Sequence, residues 1–145
     1  MKAASSDMKA ASWPPGTHYV DEANLAIAFF TGVTRGGDAP LMYEKRAQSW
    51  QGRSWNEVAN SVRRLASVLV DAGVSAGDRV MISAENRPEW AIADLAIMAI
   101  GAIVVPAYVT NTEEDQYCIM AHSRASALLP PTQIVVVALV PRALV

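Results

Sequence analysis

Residues 77 to 108 read GDRVMISAENRPEWAIADLAIMAIGAIVVPAY, two short apolar runs separated by a longer segment of helical character. Residues 80 to 84 are mostly apolar and alternate in the manner of a strand. Ile103–Val105 predict a second strand, which Pro106 is expected to end. Two strands of one sheet that are joined by a crossover helix lie parallel, with a right-handed connection. The segment therefore predicts a β-α-β unit and an α/β fold.

The helix between these strands carries its own start and stop signals. Asn86 is placed to cap it, with Pro88 tolerated in the first turn and Glu89 positioned to complete a capping box. Gly101 supplies a C-terminal stop. The apolar residues that recur at helical spacing are Ile92, Leu95, Ala96 and Ala99. Asn86, Glu89 and Trp90 are thus explained as a cap, its partner and a buried aromatic side chain.

The preceding segment fits the same plan. Residues 40–43 and 47–50 predict the two short strands of a β-hairpin, and residues 51–53 predict the turn that leads out of it. Ser54 and Glu57 form a Ser-x-x-Glu capping box at the start of a helix. The apolar face of that helix consists of Val58, Val62, Leu65, Ala66 and Leu69. We therefore expect a hairpin followed by an amphipathic helix.

A further helix and a further strand are expected after the β-α-β unit. The helix should start at Thr112, where residues 113–115 place three acidic side chains in its first turn. Its apolar side would consist of Tyr117, Met120 and Ala121. Residues 125–129 then predict another strand.

The motifs of this region occur in the order and at the spacing of a known family. They are Ser54-Trp55, Gly73-Val74, Gly77-Asp78-Arg79-Val80, Glu85-Asn86-Arg87-Pro88-Glu89-Trp90, Asp94-Leu95-Ala96-Ile97-Met98, Gly101-Ala102, Val105-Pro106-Ala107-Tyr108 and Asn111-Thr112. From about residue 24 to residue 126 the chain resembles the acyl-adenylate-forming enzymes, specifically the AMP-forming long-chain fatty acyl-CoA synthetases. The resemblance implies part of the N-terminal domain of the acyl-adenylate-forming fold, with parallel β-α-β units and an N-terminal β-hairpin.

The resemblance also implies a two-step ligase. Enzymes of this family activate a carboxylate with ATP and Mg²⁺, release pyrophosphate, and pass the acyl group from the acyl-adenylate to CoA. The family's phosphate loop ends in lysine, whereas Lys2, Lys9 and Lys45, the only lysines of this sequence, follow no glycine-rich loop. The sequence therefore predicts no catalytic, cofactor-binding or metal-binding residue, and it predicts that the isolated chain is inactive.

A polar loop just beyond the second strand is the candidate substrate-binding site. It contains Tyr108, Thr110 and Asn111. Ligands of open α/β sheets gather at the carboxyl ends of the strands, and this loop lies at such an end.

The other polar residues that attract notice have structural explanations. Residues 113–115 suit a helix start, and residues 34–38 suit a surface turn. His18 and His122 lack a partner at metal-ligand spacing. Cys118 is the only cysteine and has no local nucleophile signature, so a structural or incidental thiol is expected.

Composition limits the partners. A net charge of −2 gives no electrostatic reason to expect nucleic acid. The apolar run of residues 95–105 is too short for a transmembrane span, which needs about 20 residues. A hydrophobic content of 52% with 18% charged residues favours a globular, cytoplasmic protein. Peripheral association with membranes, self-association and pairing with the remainder of a ligase are left open.

The sequence predicts three segments. Residues 1–23 would be a flexible leader containing the repeat Met-Lys-Ala-Ala-Ser, residues 24–126 the incomplete family domain, and residues 127–145 a divergent tail. The tail departs from the family pattern, and a premature stop, a frameshift or an incomplete gene would each explain the departure. The functional hypothesis is the N-terminal fragment of a long-chain fatty acid–CoA ligase. The alternatives are a non-catalytic α/β interaction module and one part of a split ligase.

Overall fold

The computed structural model describes residues 22–130 and the backbone of residues 138–139. Its elements, in chain order, are α1 (Leu25–Gly36), β1 (Pro40–Arg46), β2 (Ser49–Ser54), α2 (Trp55–Asp71), β3 (Arg79–Ser83), α3 (Pro88–Ala99), β4 (Ile103–Ala107), α4 (Glu113–Ser123), β5 (Ala127–Leu129) and β6 (Ala138–Leu139). None of the helices in the described ranges is both long enough and apolar enough to cross a membrane.

The main sheet has the strand order β4-β3-β5-β6. β3 is parallel to both β4 and β5, with Arg79 opposite Ile103 and Val80 opposite Ala127, whereas β6 is antiparallel to β5. The predicted parallel β-α-β unit is confirmed. The prediction that Pro106 ends the second strand is wrong, because Pro106 lies inside β4 opposite Ile82. β4 has a single neighbour in the described sheet, and an edge strand tolerates proline since one of its sides needs no N–H donor.

Strand β3 is buried on both faces, as strands of parallel sheets usually are. Val80 and Ile82 belong to the larger core cluster, together with residues of α1, α2 and α3. Met81 points the other way and packs in a second cluster with Ile119 and Met120 of α4. The helices therefore cover both faces of the sheet.

Helix α2 forms as its sequence predicts. Glu57 N donates to Ser54 Oγ at 3.2 Å, and Ser54 N donates to Glu57 Oε2 at 2.7 Å, which completes the capping box. The buried residues of the helix are Val58, Ala59, Val62, Leu65 and Leu69. The predicted apolar face is confirmed, with Ala66 at its half-buried margin.

The predicted turn at residues 34–38 is only partly confirmed, and the helix before it was not predicted. Residues 34–36 instead complete α1, and the turn begins at Gly37, whose φ of 51° favours glycine. The Trp55 indole lies over Gly32 and Gly36 of this helix and stacks on Phe29 at a centroid distance of 6.0 Å. A Cβ atom on Gly32 would lie 2.6 Å from Trp55 Cζ3, so the close approach of α1 and α2 requires glycine there.

The predicted hairpin is confirmed, but its strands differ from the predicted residues 40–43 and 47–50. The chain reverses at residues 47–48, where Ala47 has a φ of 51°. The prediction that residues 51–53 form the turn leading out of the hairpin is wrong, because they lie within β2, opposite Glu44, Tyr43 and Met42 respectively. Arg53 lies in this strand and reaches across to Glu89 of α3.

The predicted cap of α3 is wrong. Arg87, and not Asn86, is the N-cap residue, and no side chain caps this helix. Pro88 occupies the first turn, as expected. Glu89 does not complete a capping box because its carboxylate accepts a hydrogen bond from the Arg53 guanidinium. The ion pair ties the hairpin to α3.

Arg79, at the start of β3, fastens the C-terminal end of α4. Its Nε donates to Ser123 O at 3.0 Å, and its Nη2 donates to Arg124 O at 2.9 Å. Carbonyls at the end of a helix lack helical partners, so a guanidinium there satisfies them and complements the helix dipole. Of the predicted apolar side of α4, Met120 packs against the sheet together with Ile119, whereas Tyr117 is exposed.

We expect Gly32→Ala to destabilise the protein by about 1–3 kcal/mol, because the new methyl group would overlap the Trp55 ring. The sign of this change in the free energy of unfolding tests the close contact, since replacing glycine by alanine inside a helix normally stabilises a protein by about 1 kcal/mol. Chemical denaturation measures the change. In a Trp55→Ala background, where the ring is absent, the same substitution should be neutral or stabilising. Stabilisation by Gly32→Ala in the otherwise unchanged chain would contradict the close approach.

Candidate functional site

The predicted loop lies at the carboxyl edge of the parallel strands. Ser83 ends β3 directly opposite Ala107, which ends β4, and the loop begins at the next residue. β4 and β5 flank β3 in the sheet. The chain therefore passes from β3 to its neighbour β4 and then returns past β3 to β5. This reversal creates a topological switch point, the place where open α/β sheets form a crevice.

The three predicted residues lie in one short loop, but their side chains differ in exposure. Tyr108 is 80% exposed, Thr110 is exposed, and Asn111 is partly buried. Asn111 N donates to Tyr108 O at 3.2 Å, which closes a turn. Within residues 22–130 their side chains are not joined to one another by hydrogen bonds. The loop therefore offers separate polar groups rather than a linked constellation.

Two residues that the sequence analysis did not single out hold this loop. Gln116 Nε2 donates to Tyr108 O at 2.8 Å and to Ser83 Oγ at 3.0 Å. Ser83 is 5% exposed, so the contact lies beneath the surface of the sheet edge. The Tyr108 carbonyl can only accept, which fixes the amide orientation. The one feature of the sequence that could have indicated this contact is Ser83, a serine that ends an otherwise apolar strand. Its partner, Gln116, lies 33 positions later in the chain.

The other end of the Gln116 amide is a local anomaly. Its Oε1 atom is buried and has no hydrogen-bond partner among the described residues. A buried carbonyl oxygen without a donor is costly, so a water molecule or another donor would stabilise the structure here. The Ser83 hydroxyl, which accepts from Gln116, still has its own proton to donate. The two groups could hold one small polar partner.

The N-terminus of α4, next to this loop, is capped by side chains of its own first turn. Asp115 N donates to Thr112 Oγ1 at 3.2 Å, and Thr112 N donates to Asp115 Oδ2 at 3.1 Å. Glu113 and Glu114 add two further carboxylates to the first turn. The predicted explanation of this acidic cluster as a helix start is confirmed. Such an end disfavours phosphate, since the Asp115 amide is occupied and three carboxylates lie in the first turn.

The remaining polar residues do not join the site. Cys118 and His122 are exposed on α4, whereas His18 lies outside the described residues. Burial raises the pKa of Asp94, which lies midway along α3, but a single half-buried carboxylate supplies no paired acid and base. Between residues 22 and 130, no group of three His, Cys, Asp or Glu side chains could hold a metal ion. The arrangement can bind a polar group, and it presents no nucleophile with an adjacent base.

We expect Gln116→Ala to lower the free energy of unfolding by about 1–3 kcal/mol, because it leaves Ser83 and the Tyr108 carbonyl without their donor. Amide hydrogen exchange at Asn111 should accelerate as the loop loosens. Cys118→Ala, an exposed change on the same helix, is the control and should stay within about 0.5 kcal/mol. Unchanged exchange at Asn111 in Gln116→Ala would show that this amide does not hold the loop.

Comparison with solved structures supports the fold. The N-terminal subdomain of Klebsiella oxytoca NpsA, in complex with 3-hydroxyanthranilyl-AMSN, superimposes with a TM-score of 0.67 and 27% identity, over 83% of this chain and 30% of that one. The crystal structure of IdnL1 has the same fold, with a TM-score of 0.68 and 21% identity, over 73% of this chain and 22% of that one.

Comparison of sequences identifies the family. The long-chain-fatty-acid–CoA ligase FadD15 of Mycobacterium tuberculosis is 42% identical over 83 residues, which cover 57% of this chain. Long-chain-fatty-acid–CoA ligase 6 of Mus musculus is 38% identical over 98 residues, which cover 65% of it. The match spans only 14% of the length of each of these relatives. Residues 29–143 match the family described as AMP-binding enzyme, and the chain therefore belongs to that family.

Proposed function

We propose that this chain is the amino-terminal portion of an ATP-dependent long-chain fatty acid–CoA ligase and that it does not catalyse adenylation alone. The observation that carries the proposal is the 42% identity to FadD15 over 83 residues. The family match and the likeness to the NpsA N-terminal subdomain agree with it. The complete reaction would join a fatty acid to CoA while ATP is converted to AMP and pyrophosphate.

The described residues do not fit the phosphates of ATP, and this mismatch supports inactivity of the chain alone. A phosphate site needs free backbone amides and cationic side chains. The helix terminus nearest the candidate loop has its Asp115 amide occupied and carries three carboxylates. Lys45, the one lysine in the described part of the chain, lies on β1, outside this loop. No step involving ATP, Mg²⁺ or CoA can be assigned to these residues.

The role that the described residues can take is to position the sheet edge. Gln116 joins the end of β3 to the loop after β4 through Ser83 and the Tyr108 carbonyl. A loop held in this way presents Tyr108, Thr110 and Asn111 at a fixed place. We propose that these residues form one wall of a substrate site, whose reacting groups would come from the remainder of a complete ligase.

ATP–pyrophosphate exchange tests the proposal. The purified chain, with Mg²⁺, ATP and a long-chain fatty acid, should give no exchange above a blank, because the described residues place no lysine and no cationic phosphate site at the candidate loop. A complete long-chain fatty acid–CoA ligase, assayed in parallel, is the positive control. Exchange that co-purifies with the intact chain would contradict the proposed inactivity.

Mixing experiments separate this proposal from its alternatives. A polypeptide that supplies the remainder of a related ligase should restore exchange if the chain is one part of a split enzyme. A stand-alone interaction module would unfold cooperatively as a monomer or defined oligomer and would gain no activity on mixing. The exposed Ile103 on edge strand β4 favours association with further protein, since an apolar strand edge readily pairs.

A further inference from the structure

The two faces of the β1-β2 hairpin carry different side chains. Lys45 lies opposite Trp50, and Tyr43 lies opposite Gly52. Residues opposite one another in an antiparallel pair share a face, as do residues two apart along a strand. Tyr43, Lys45, Trp50 and Gly52 therefore form one face, which we call the outer hairpin face.

The opposite face of the hairpin is charged and turned toward the body of the protein. With polar residues of α2 it lines a cavity of about 470 Å³. The lining consists of Glu44, Arg46, Gln51 and Arg53 of this face, the backbone of Gly52, and Glu57, Asn60, Ser61 and Arg64 of α2. Arg46 Nε donates to Glu44 Oε2 at 2.8 Å, and this hydrogen bond lowers the pKa of Glu44. Arg53 contacts the same carboxylate at 3.4 Å. The charges of the hairpin are thus largely paired on its inner side.

The outer hairpin face is aromatic and exposed. Trp50 is 69% exposed and Tyr43 is 59% exposed. Hairpins that cover a domain normally turn the apolar face inward and the polar face to water. In this hairpin Leu41 and Met42 pack against the core, and the ion pairs line the cavity beside α2. Two aromatic rings nevertheless lie on the outward face, and an exposed aromatic patch of this kind is typical of a surface that a partner covers.

We propose that the outer hairpin face binds the headgroup region of an anionic lipid bilayer. Tryptophan and tyrosine favour this region because each ring has an apolar body and a polar tip. Lys45 lies between them and would be attracted to anionic headgroups. The face has no carboxylate, since Glu44 is on the other side. With a net charge of −2 for the whole chain, this attraction is local and not a property of the overall charge.

A lipid surface fits this patch better than a protein partner does. A stable protein interface buries about 800 Å² on each side, which requires some 20 residues or more. The outer hairpin face presents two rings and one ammonium group. Such a set is large enough to insert into the headgroup region of a bilayer, but its area is small for a stable protein interface. The proposal concerns this surface alone and does not depend on ligase activity.

Flotation with vesicles tests the proposal on the whole 145-residue chain. Vesicles of phosphatidylcholine with one quarter phosphatidylglycerol should carry the chain upward, and neutral phosphatidylcholine vesicles should carry less. Trp50→Ser should weaken binding by about fivefold or more, because an indole no longer leaves water. Lys45→Glu should weaken binding to the anionic vesicles by about fivefold or more, with little effect on neutral ones.

Tyr117→Ser is the matched control, because Tyr117 is also 59% exposed but lies on α4. It should leave flotation unchanged. Tyr43 is a poorer choice for substitution, since its ring lies across Gly52, where an added Cβ would meet Tyr43 Cε1 at 3.2 Å. Quenching of tryptophan fluorescence by lipids brominated in their acyl chains gives a second readout. Trp50→Phe should remove most of this quenching while the chain still floats.

Three results would overturn the proposal. The first is no flotation of the unchanged chain with anionic vesicles. The second is an equal loss of flotation in Tyr117→Ser, which would indicate non-specific adsorption. The third is a change in oligomeric state on Trp50→Ser with flotation unaffected, which would assign the face to a protein partner.

Discussion

The burial of β3 between two layers is the constraint on which the other elements depend. All five of its residues pair with β4, and Val80, Met81 and Ile82 also pair with β5, so the middle of the strand has a hydrogen-bonding neighbour on both sides. Val80 and Ile82 require a layer formed by α1, α2 and α3, while Met81 requires α4. A strand that is apolar on both faces cannot be stable in water unless both layers are in place.

The polar ends of β3 determine where α4 and the candidate loop lie. At the start of the strand, Arg79 binds the last carbonyls of α4, and at its end Ser83 accepts from Gln116 of the same helix. One helix is thus fixed at two points to one strand. The consequence for function is that the carboxyl edge of the sheet and the loop after β4 are both joined to α4 through Gln116.

The features that the sequence predicts well are local ones. The capping box of α2 joins residues three positions apart, the start of α4 follows from Thr112 and the acidic residues after it, and the β-α-β unit follows from the spacing of apolar residues along the chain. The features it misses depend on residues distant in sequence. Glu89 has the spacing of a capping residue, but Arg53, 36 positions away, takes its carboxylate.

The candidate site shows the same division. The loop at residues 108–111 is predictable because it follows an apolar strand, whereas the Gln116 contact that holds it joins residues 33 positions apart. The contact of Trp55 with the glycines of α1 is likewise not predictable from local sequence patterns, because it joins two different helices. The exposure of Tyr43 and Trp50 on one face of the hairpin could not be foreseen either, because the strands extend beyond their predicted bounds and the register depends on where the chain reverses.

Amide hydrogen exchange, measured residue by residue in the native protein, tests the central role of β3 most directly. If the strand is the element on which both layers depend, the amides of Val80, Met81 and Ile82 should exchange only through global unfolding and be among the slowest in the chain. The amides of α4, which has no fully buried side chain, should exchange faster through local opening. Exchange of the β3 amides as fast as those of α4 would contradict the account.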